Sequence, residues 1–272
     1  MTSALLPVEL TAPALTPTAP HGLYAATAFT DTTEPAAPLR WLPSGVRIRP
    51  TNYGFETGFG VWGAPWCVDP DLLEPEDIKD GERPDISELA PFTALTVFGV
   101  DHNQCGDLTG ESRAEVRARA THNLELHEQV AVEREFTASL LADAATITPT
   151  SAANLTGAIA HIEEALAATA TFGFIHARAG LLAVAEAHRL IIRDGGVLRT
   201  PAGHRWIFGG GYAAGSLGDT LVATAAPIGF RGAVAVREAT RHATNQYVVV
   251  AERSVLIGYE AALAAATIEA SE

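Results

Sequence analysis

From Glu111 to Thr148 the chain contains neither glycine nor proline, and that run restricts the fold more than any other feature. A backbone of this length without a breaker propagates a helix. Ser112, with Glu115 three residues on, supplies a capping-box start, so the reading is one helix over about 112–145. At about 1.5 Å per residue it spans roughly 45 Å, more than the width of a small domain. Its apolar residues Val116, Leu124, Leu126, Val130, Val132, Phe136, Leu140 and Leu141 do not keep to one narrow stripe. Such a helix crosses several packing environments instead of lying on one core.

The chain before the helix has little that folds by itself. Residues 1 to about 50 are rich in Pro, Thr and Ala, a mixture that neither propagates a helix nor fills a central strand. This predicts an extended arm. It carries Leu5, Leu6, Leu10, Leu23, Tyr24, Phe29, Leu39 and Trp41, too much apolar area to remain in water, so the arm is expected along a partner subunit. Phe55 to Val68 and Ile86 to Val100 read as strands. Between them lies an acidic, proline-interrupted stretch with the turn-forming pair Asp80-Gly81. The expectation is a long two-stranded hairpin with a charged tip, which is marginal by itself and must rest on something else.

After Pro149 short helices and strands alternate. Residues 151–170 and 178–193 read as helices, the second ended by Gly195-Gly196. Strands are expected at Phe172 to His176, Val197-Leu198, His204 to Phe208 and, split by RHATNQ, from Val234 to Tyr259. The tail after Glu260 is alanine-rich and weakly specified. The whole is an α+β chain.

Several functions lose support on chemical grounds. Eighteen basic against thirty-two acidic residues give a net charge of −14, which repels phosphate backbones and anionic lipid. No run of about 18 apolar residues suggests a membrane span. Cys67 and Cys105 are too few for a disulfide framework and read as reduced thiols. His102 and Cys105 lack the paired spacing of a zinc site, so no metal is expected. Gly209-Gly210-Gly211 matches neither a P-loop nor a dinucleotide fingerprint and reads as a flexible loop or turn, so no cofactor is expected. All the basic residues but Lys79 are arginine, the side chain suited to fixed ion pairs between surfaces.

The order of parts, with the phrases KDGERPDI leading into PFTALTVFGVD, EQVAVEREF, RTPAGHRWIFGGGY and NQYVVVAERSVLIGYE, resembles tailed-phage major capsid proteins of the Hong Kong 97-like family. The likeness is to those of phages infecting actinobacteria, over residues 58–145 and 197–260. The resemblance implies that fold, with an N-terminal arm (1–57), an extended hairpin loop (58–92) and a peripheral domain (93–152 and 232–260) holding the long helix as its spine. An axial domain (153–231) and a C-terminal tail (261–272) complete it. It implies a structural protein whose copies form pentamers and hexamers of an icosahedral head around double-stranded DNA, with no sequence-specific grip on it. It also implies assembly in the host bacterial cytoplasm and a place in the virion, with scaffold, portal and decoration proteins as further partners.

Some members of that family join subunits through an isopeptide bond, and the resemblance assigns the parts here to Lys79 as amine, Asn245 as carboxamide and Glu252 as base. The residue reading leaves other assignments open for Lys79 as a solvated charge and for Glu252-Arg253 as structural ion pairs. An encapsulin-like nanocompartment shell of the same fold is one alternative function, a head-decoration or tail protein another. A soluble α/β enzyme using the glycine-rich loop with His204 and Asp219 is the third.

Overall fold

The structure is a computed structural model that describes residues 12–16, 19–31, 44–54, 58–82, 85–86, 89–103 and 109–269. Cys105 and the arm residues Leu5, Leu6, Leu10, Leu39 and Trp41 lie outside the described residues.

The breaker-free run forms a single helix, α2 (Gly110–Thr146). Its cap is Thr109, not Ser112: the Thr109 hydroxyl accepts from the Ser112 N–H at 3.3 Å, and Ser112 Oγ instead accepts from Asn103 Nδ2 at 2.6 Å. The buried positions also differ from the expectation of scattered stripes. Ser112, Val116, Ala120, Leu124, Glu128, Val132, Phe136, Leu140 and Ala144, every fourth residue, are buried in one row, with Glu133 and Thr137 beside it. Four residues advance a helix by about 400°, so the row turns about 40° per step and winds around the axis. One narrow row therefore meets different neighbours along its length.

The first half of α2 lies on a five-stranded sheet. Its trunk is the strand β11 (Gln246–Gly258). Strands β10 (Ala235–Arg241) and β9 (Ile228–Arg231) pair antiparallel along one side of it, and β2 (Leu95–Asn103) pairs antiparallel along the other. Val116, Ala120 and Leu124 pack on Tyr247, Val249 and Ala251. The helix touches the sheet backbone at Gly99, where an added Cβ would stand 2.5 Å from the Ala120 carbonyl oxygen. Only glycine permits that approach.

A seven-stranded sheet follows, in the order β3 (Thr150–Ala152), β12 (Ala262–Ile268), β8 (Thr220–Thr224), β4 (Phe174–Arg178), β7 (Arg205–Gly209), β6 (Val197–Arg199) and β5 (Ile192–Asp194). It separates two cores. On one face α3 (Leu155–Thr169) and α4 (Leu181–Ala187) bury Ile159, Ile162, Leu181 and Ala185 against Ile175, Trp206, Leu221, Ala264 and Ala266. On the other face the second half of α2 buries Val132, Phe136 and Leu140 against Ile207, Val222, Val255 and Ala265. Ala264, Ala265 and Ala266 alternate between the two cores, the period-two behaviour of a strand. The supposed tail is thus an inner strand with helices on both faces, and alanines leave room for them.

Three further expectations are corrected. The helix over 178–193 stops at Ala187, and Gly195-Gly196 turns the β5–β6 hairpin instead of ending it. The glycine-rich loop is packed: a Cβ on Gly211 would meet the Val130 carbonyl oxygen at 2.2 Å. The arm is not wholly extended toward a partner. The short helix α1 (Leu23–Ala26) and the strand β1 (Ala28–Asp31), parallel to β9, dock on the chain's own body with Leu23 fully buried.

Candidate functional site

Residues 58–82 form no ladder among the described residues; two short 3-10 turns, Pro70–Leu72 and Pro75–Asp77, replace the expected ribbon. Pro65, Pro70 and Pro75 remove donors that a ladder needs. Beyond it a single bridge joins Val46 to Phe92. The hairpin's apolar side chains have no cover: Phe59 is 83% exposed, Val61 91%, Trp66 84% and Leu72 71%. Such clustered exposure marks an interaction surface. Between Asp69 and Glu82 the segment also carries seven carboxylates against the lone Lys79.

A second exposed apolar face lies on the five-stranded sheet. Residues paired across a ladder share a face. His102 pairs with Val248, Val100 with Val250, and Phe98 with Glu252, while Arg237 pairs with Val250 and Ala239 with Val248. Their neighbours Tyr247, Val249 and Ala251 face α2, so this set faces away from it. Phe98 is 66% exposed and Val100 43%. The face has an apolar centre of Phe98, Val100, Val248, Val250 and Ala239, with Arg237 and Arg241 at its β10 edge. On the α2 side the charges are already satisfied: Glu238 accepts from Arg117 at 2.7 Å and from the Tyr247 hydroxyl, and Asp101 accepts from Arg119 at 2.6 Å.

The three sequence-assigned crosslink residues are not brought together within one chain. Lys79 is exposed at the hairpin with its Nζ over the Trp62 ring, 4.3 Å from the centroid. Asn245 is exposed in the turn between β10 and β11, in the left-handed region at φ 46°. Glu252 lies seven residues along β11, about 23 Å away at roughly 3.3 Å per residue. Its Oε1 accepts from Arg237 Nε at 2.6 Å. Arg253 points to the opposite face and donates to the buried Glu128 at 2.8 Å, which also accepts from the Tyr24 hydroxyl at 2.6 Å. Burial, then the Glu128 charge, pushes that phenol well above its ordinary range.

The arm is fixed by two carboxylates that the sequence reading missed. Glu133, fully buried, accepts from the Leu23 N–H and Gln129 Nε2 through Oε1 and from the Gly211 N–H through Oε2, each at 2.9 Å. Glu260 accepts from the N–H groups of Thr51, Asn52 and Tyr53 and from Asn52 Nδ2 at 2.7 Å. Burial raises its pKa, and the Asn52, Thr51 and Tyr53 donors outweigh that and hold it low. The clue to Glu133 was its place beside the buried row of α2; the clue to the hairpin was Trp62 and Trp66 among prolines.

The residues of the enzyme reading hold structural posts. His204 Nδ1 accepts from the Gly173 N–H at 3.1 Å, and Asp219 pairs with Arg178 at 2.7 Å. Among the described residues no three His, Cys, Asp or Glu side chains are placed to hold a metal, and no helix is long and apolar enough to cross a membrane. Cys67 is exposed and reduced.

His176 is fully buried between the Tyr212 hydroxyl at 2.7 Å and the Thr224 hydroxyl at 2.9 Å. Burial lowers its pKa from 6.5 to about 3. Between those values the unfolded chain binds a proton that the folded chain refuses. Stability from this group is therefore present above pH 6.5 and declines as pH falls toward 3. His176→Gln is expected to flatten the pH dependence of the unfolding free energy, read from urea titrations, by about 1.4 kcal/mol per pH unit between pH 6 and 4; equal slopes in both proteins would refute this.

No protein-family model matches the sequence, and no curated protein does. Solved structures do. The asymmetric unit of the bacteriophage PhiM1 mature capsid aligns with a TM-score of 0.55 at 10% identity, over 99% of this chain and 92% of that one. A structure of Mycobacterium phage Adephagia aligns at 0.52 and 12% identity, over 99% and 97%. The chain has the Hong Kong 97-like capsid fold. A third match, the holo-SrpI encapsulin complex from Synechococcus elongatus, reaches 0.49 at 14% identity over 98% and 96%, too distant to bear on function. At such identities the likeness establishes the capsid fold alone.

Proposed function

We propose that the chain is the major capsid protein of a tailed bacteriophage, building pentamers and hexamers of an icosahedral head around double-stranded DNA. The observation that carries this is the uncovered apolar hairpin on a body with the capsid fold. Phe59, Val61, Trp66 and Leu72 gain about 25 cal/mol for each Å² of apolar surface that a neighbour covers. The receiving surface is the outward face of β2, β11 and β10 on another copy. Its apolar centre suits the exposed side chains, and Arg241, whose side-chain partner is the neutral Gln246, suits the acidic stretch. A net charge of −14 supports a shell that encloses DNA without gripping it.

In this reading residues 1–57 are the arm, 58–92 the extended loop, 93–152 with 232–260 the peripheral domain and 153–231 the axial domain. Scaffold, portal and decoration proteins are the further partners, the bacterial cytoplasm the place of assembly and the virion the destination. Protein expressed alone or with its neighbouring genes and viewed by negative-stain electron microscopy is expected to show closed shells tens of nanometres across. A persistent monomer would overturn the reading. DNA inside native particles supports a phage head; a protein cargo supports a nanocompartment.

The crosslink belongs to the same reading. The Lys79 amine of one copy attacks the Asn245 carboxamide carbon of another; a Glu252 carboxylate takes a proton from the attacking nitrogen and returns it to the departing one, and the C–N bond of the carboxamide breaks to release ammonia. Because Asn245, in the turn before β11, and Glu252, within β11, lie about 23 Å apart, the base comes from a different copy than the carboxamide. Boiling particles in detergent is expected to leave a ladder that Lys79→Arg abolishes. Monomer bands alone would end the idea.

A further inference from the structure

Lys79 is the only lysine in the chain, and its surroundings are specific. Its Nζ lies 4.3 Å from the Trp62 ring centroid and 6.0 Å from that of Trp66. The two indoles meet edge to face at 5.6 Å and 75°. Trp62 Nε1 donates to the Asp77 carbonyl at 2.9 Å, which ties the ring to the strand of chain bearing Lys79. Three of the segment's carboxylates are engaged by backbone donors: Asp69 and Asp80 accept from the N–H groups of Asp71 and Gly81 at 3.1 and 2.7 Å, and Asp77 caps the Glu74 N–H at 3.4 Å. In an acidic segment the ammonium rests on ring faces, the geometry of a cation–π contact.

We propose that Lys79 is a gated modification site: in the unassembled subunit its nitrogen is parked on Trp62 and Trp66, and it becomes reactive toward acyl and carboxamide carbon when docking draws those rings onto another copy. The release half rests on the assembly reading; the parked state does not. A nitrogen held against an indole must leave it before its lone pair can approach a carbonyl carbon. Trp66, 84% exposed, is at once half of the cage and an uncovered docking side chain, so the contact that seats the hairpin also opens the cage. Premature joining of subunits in solution is thereby suppressed.

Trace acetylation with acetic anhydride tests this. The amine forms an N–C bond to one acetyl group, and acetate leaves with the proton. Mass spectrometry reads Lys79 unambiguously as the sole side-chain amine, with the α-amine as internal reference. In unassembled protein Trp62→Leu is expected to raise Lys79 labelling about two- to five-fold relative to the α-amine, the range of an exposed cation–π contact. Trp66→Leu, whose ring is mostly in water, gives a second reading if the first variant misfolds. Unchanged labelling in a folded variant overturns the cage. In shells of Asn245→Ala, where no isopeptide consumes the amine, Lys79 labels faster than in the free subunit, and equal or slower labelling overturns the release. Absence of a gel ladder leaves the subunit labelling untouched, so the crosslink and the cage fail separately.

Discussion

Glu133→Ala is expected to lower the unfolding free energy of the subunit by about 2–6 kcal/mol, at its upper end enough to empty the native state of a marginal domain. The carboxylate is fully buried and holds the Leu23 and Gly211 N–H groups, so its loss leaves two donors without acceptors in a region that water does not reach. Each orphaned donor costs about 1–3 kcal/mol. Gly211→Ala attacks the same joint from the other side, because its Cβ would press on the Val130 carbonyl oxygen. Urea denaturation gives the magnitude, and limited proteolysis within residues 19–31 shows whether the arm is released first. A midpoint shift worth less than about 1 kcal/mol would mean that Glu133 does not clamp the arm.

Phe98→Asp with Val100→Asp is expected to abolish shells while leaving the subunit folded. Both side chains stand in water, so the fold loses about 1 kcal/mol or less. Assembly loses far more, since two carboxylates would face the acidic stretch between Asp69 and Glu82. Every 1.4 kcal/mol per contact is tenfold in affinity, and a closed shell repeats the contact in every subunit. Particle yield by sedimentation is expected to drop at least about tenfold while the melting temperature falls by no more than about 4 °C. Shells at wild-type yield would exclude this face as the hairpin's seat.

Much of the architecture was legible in the sequence, for reasons visible in particular residues. The long helix follows from the absence of breakers, and the strands of β7 and β11 follow from runs such as RWIF and QYVVV. The failures share a cause. Apolar residues alone misrepresent α2, because Val130 is 47% exposed while Glu128 is buried by Arg253 and Tyr24. Alanines 264–266 look featureless until the helices on both faces of β12 show why small side chains are required. The arm's docking hinges on Glu133, 110 residues from Leu23, a partnership no local pattern announces. The aromatic content of residues 58–68 suits strands, yet Pro65, Pro70 and Pro75 forbid the ladder. Lys79 was singled out by rarity; its cage pairs residues 17 apart in sequence through a turn that propensity does not specify.

The placement of β12 has a bearing on synthesis. It sits between β3, more than a hundred residues earlier, and β8, and it leaves the ribosome later than either. Until residue 268 has emerged, those two strands border an open slot, and an unpaired slot invites stray strands. Completing it requires a long-range closure, which is slow compared with forming α2. Translation therefore acts as a timer: the seven-stranded sheet, and the core on each of its faces, closes only after the end of β12 has left the ribosome.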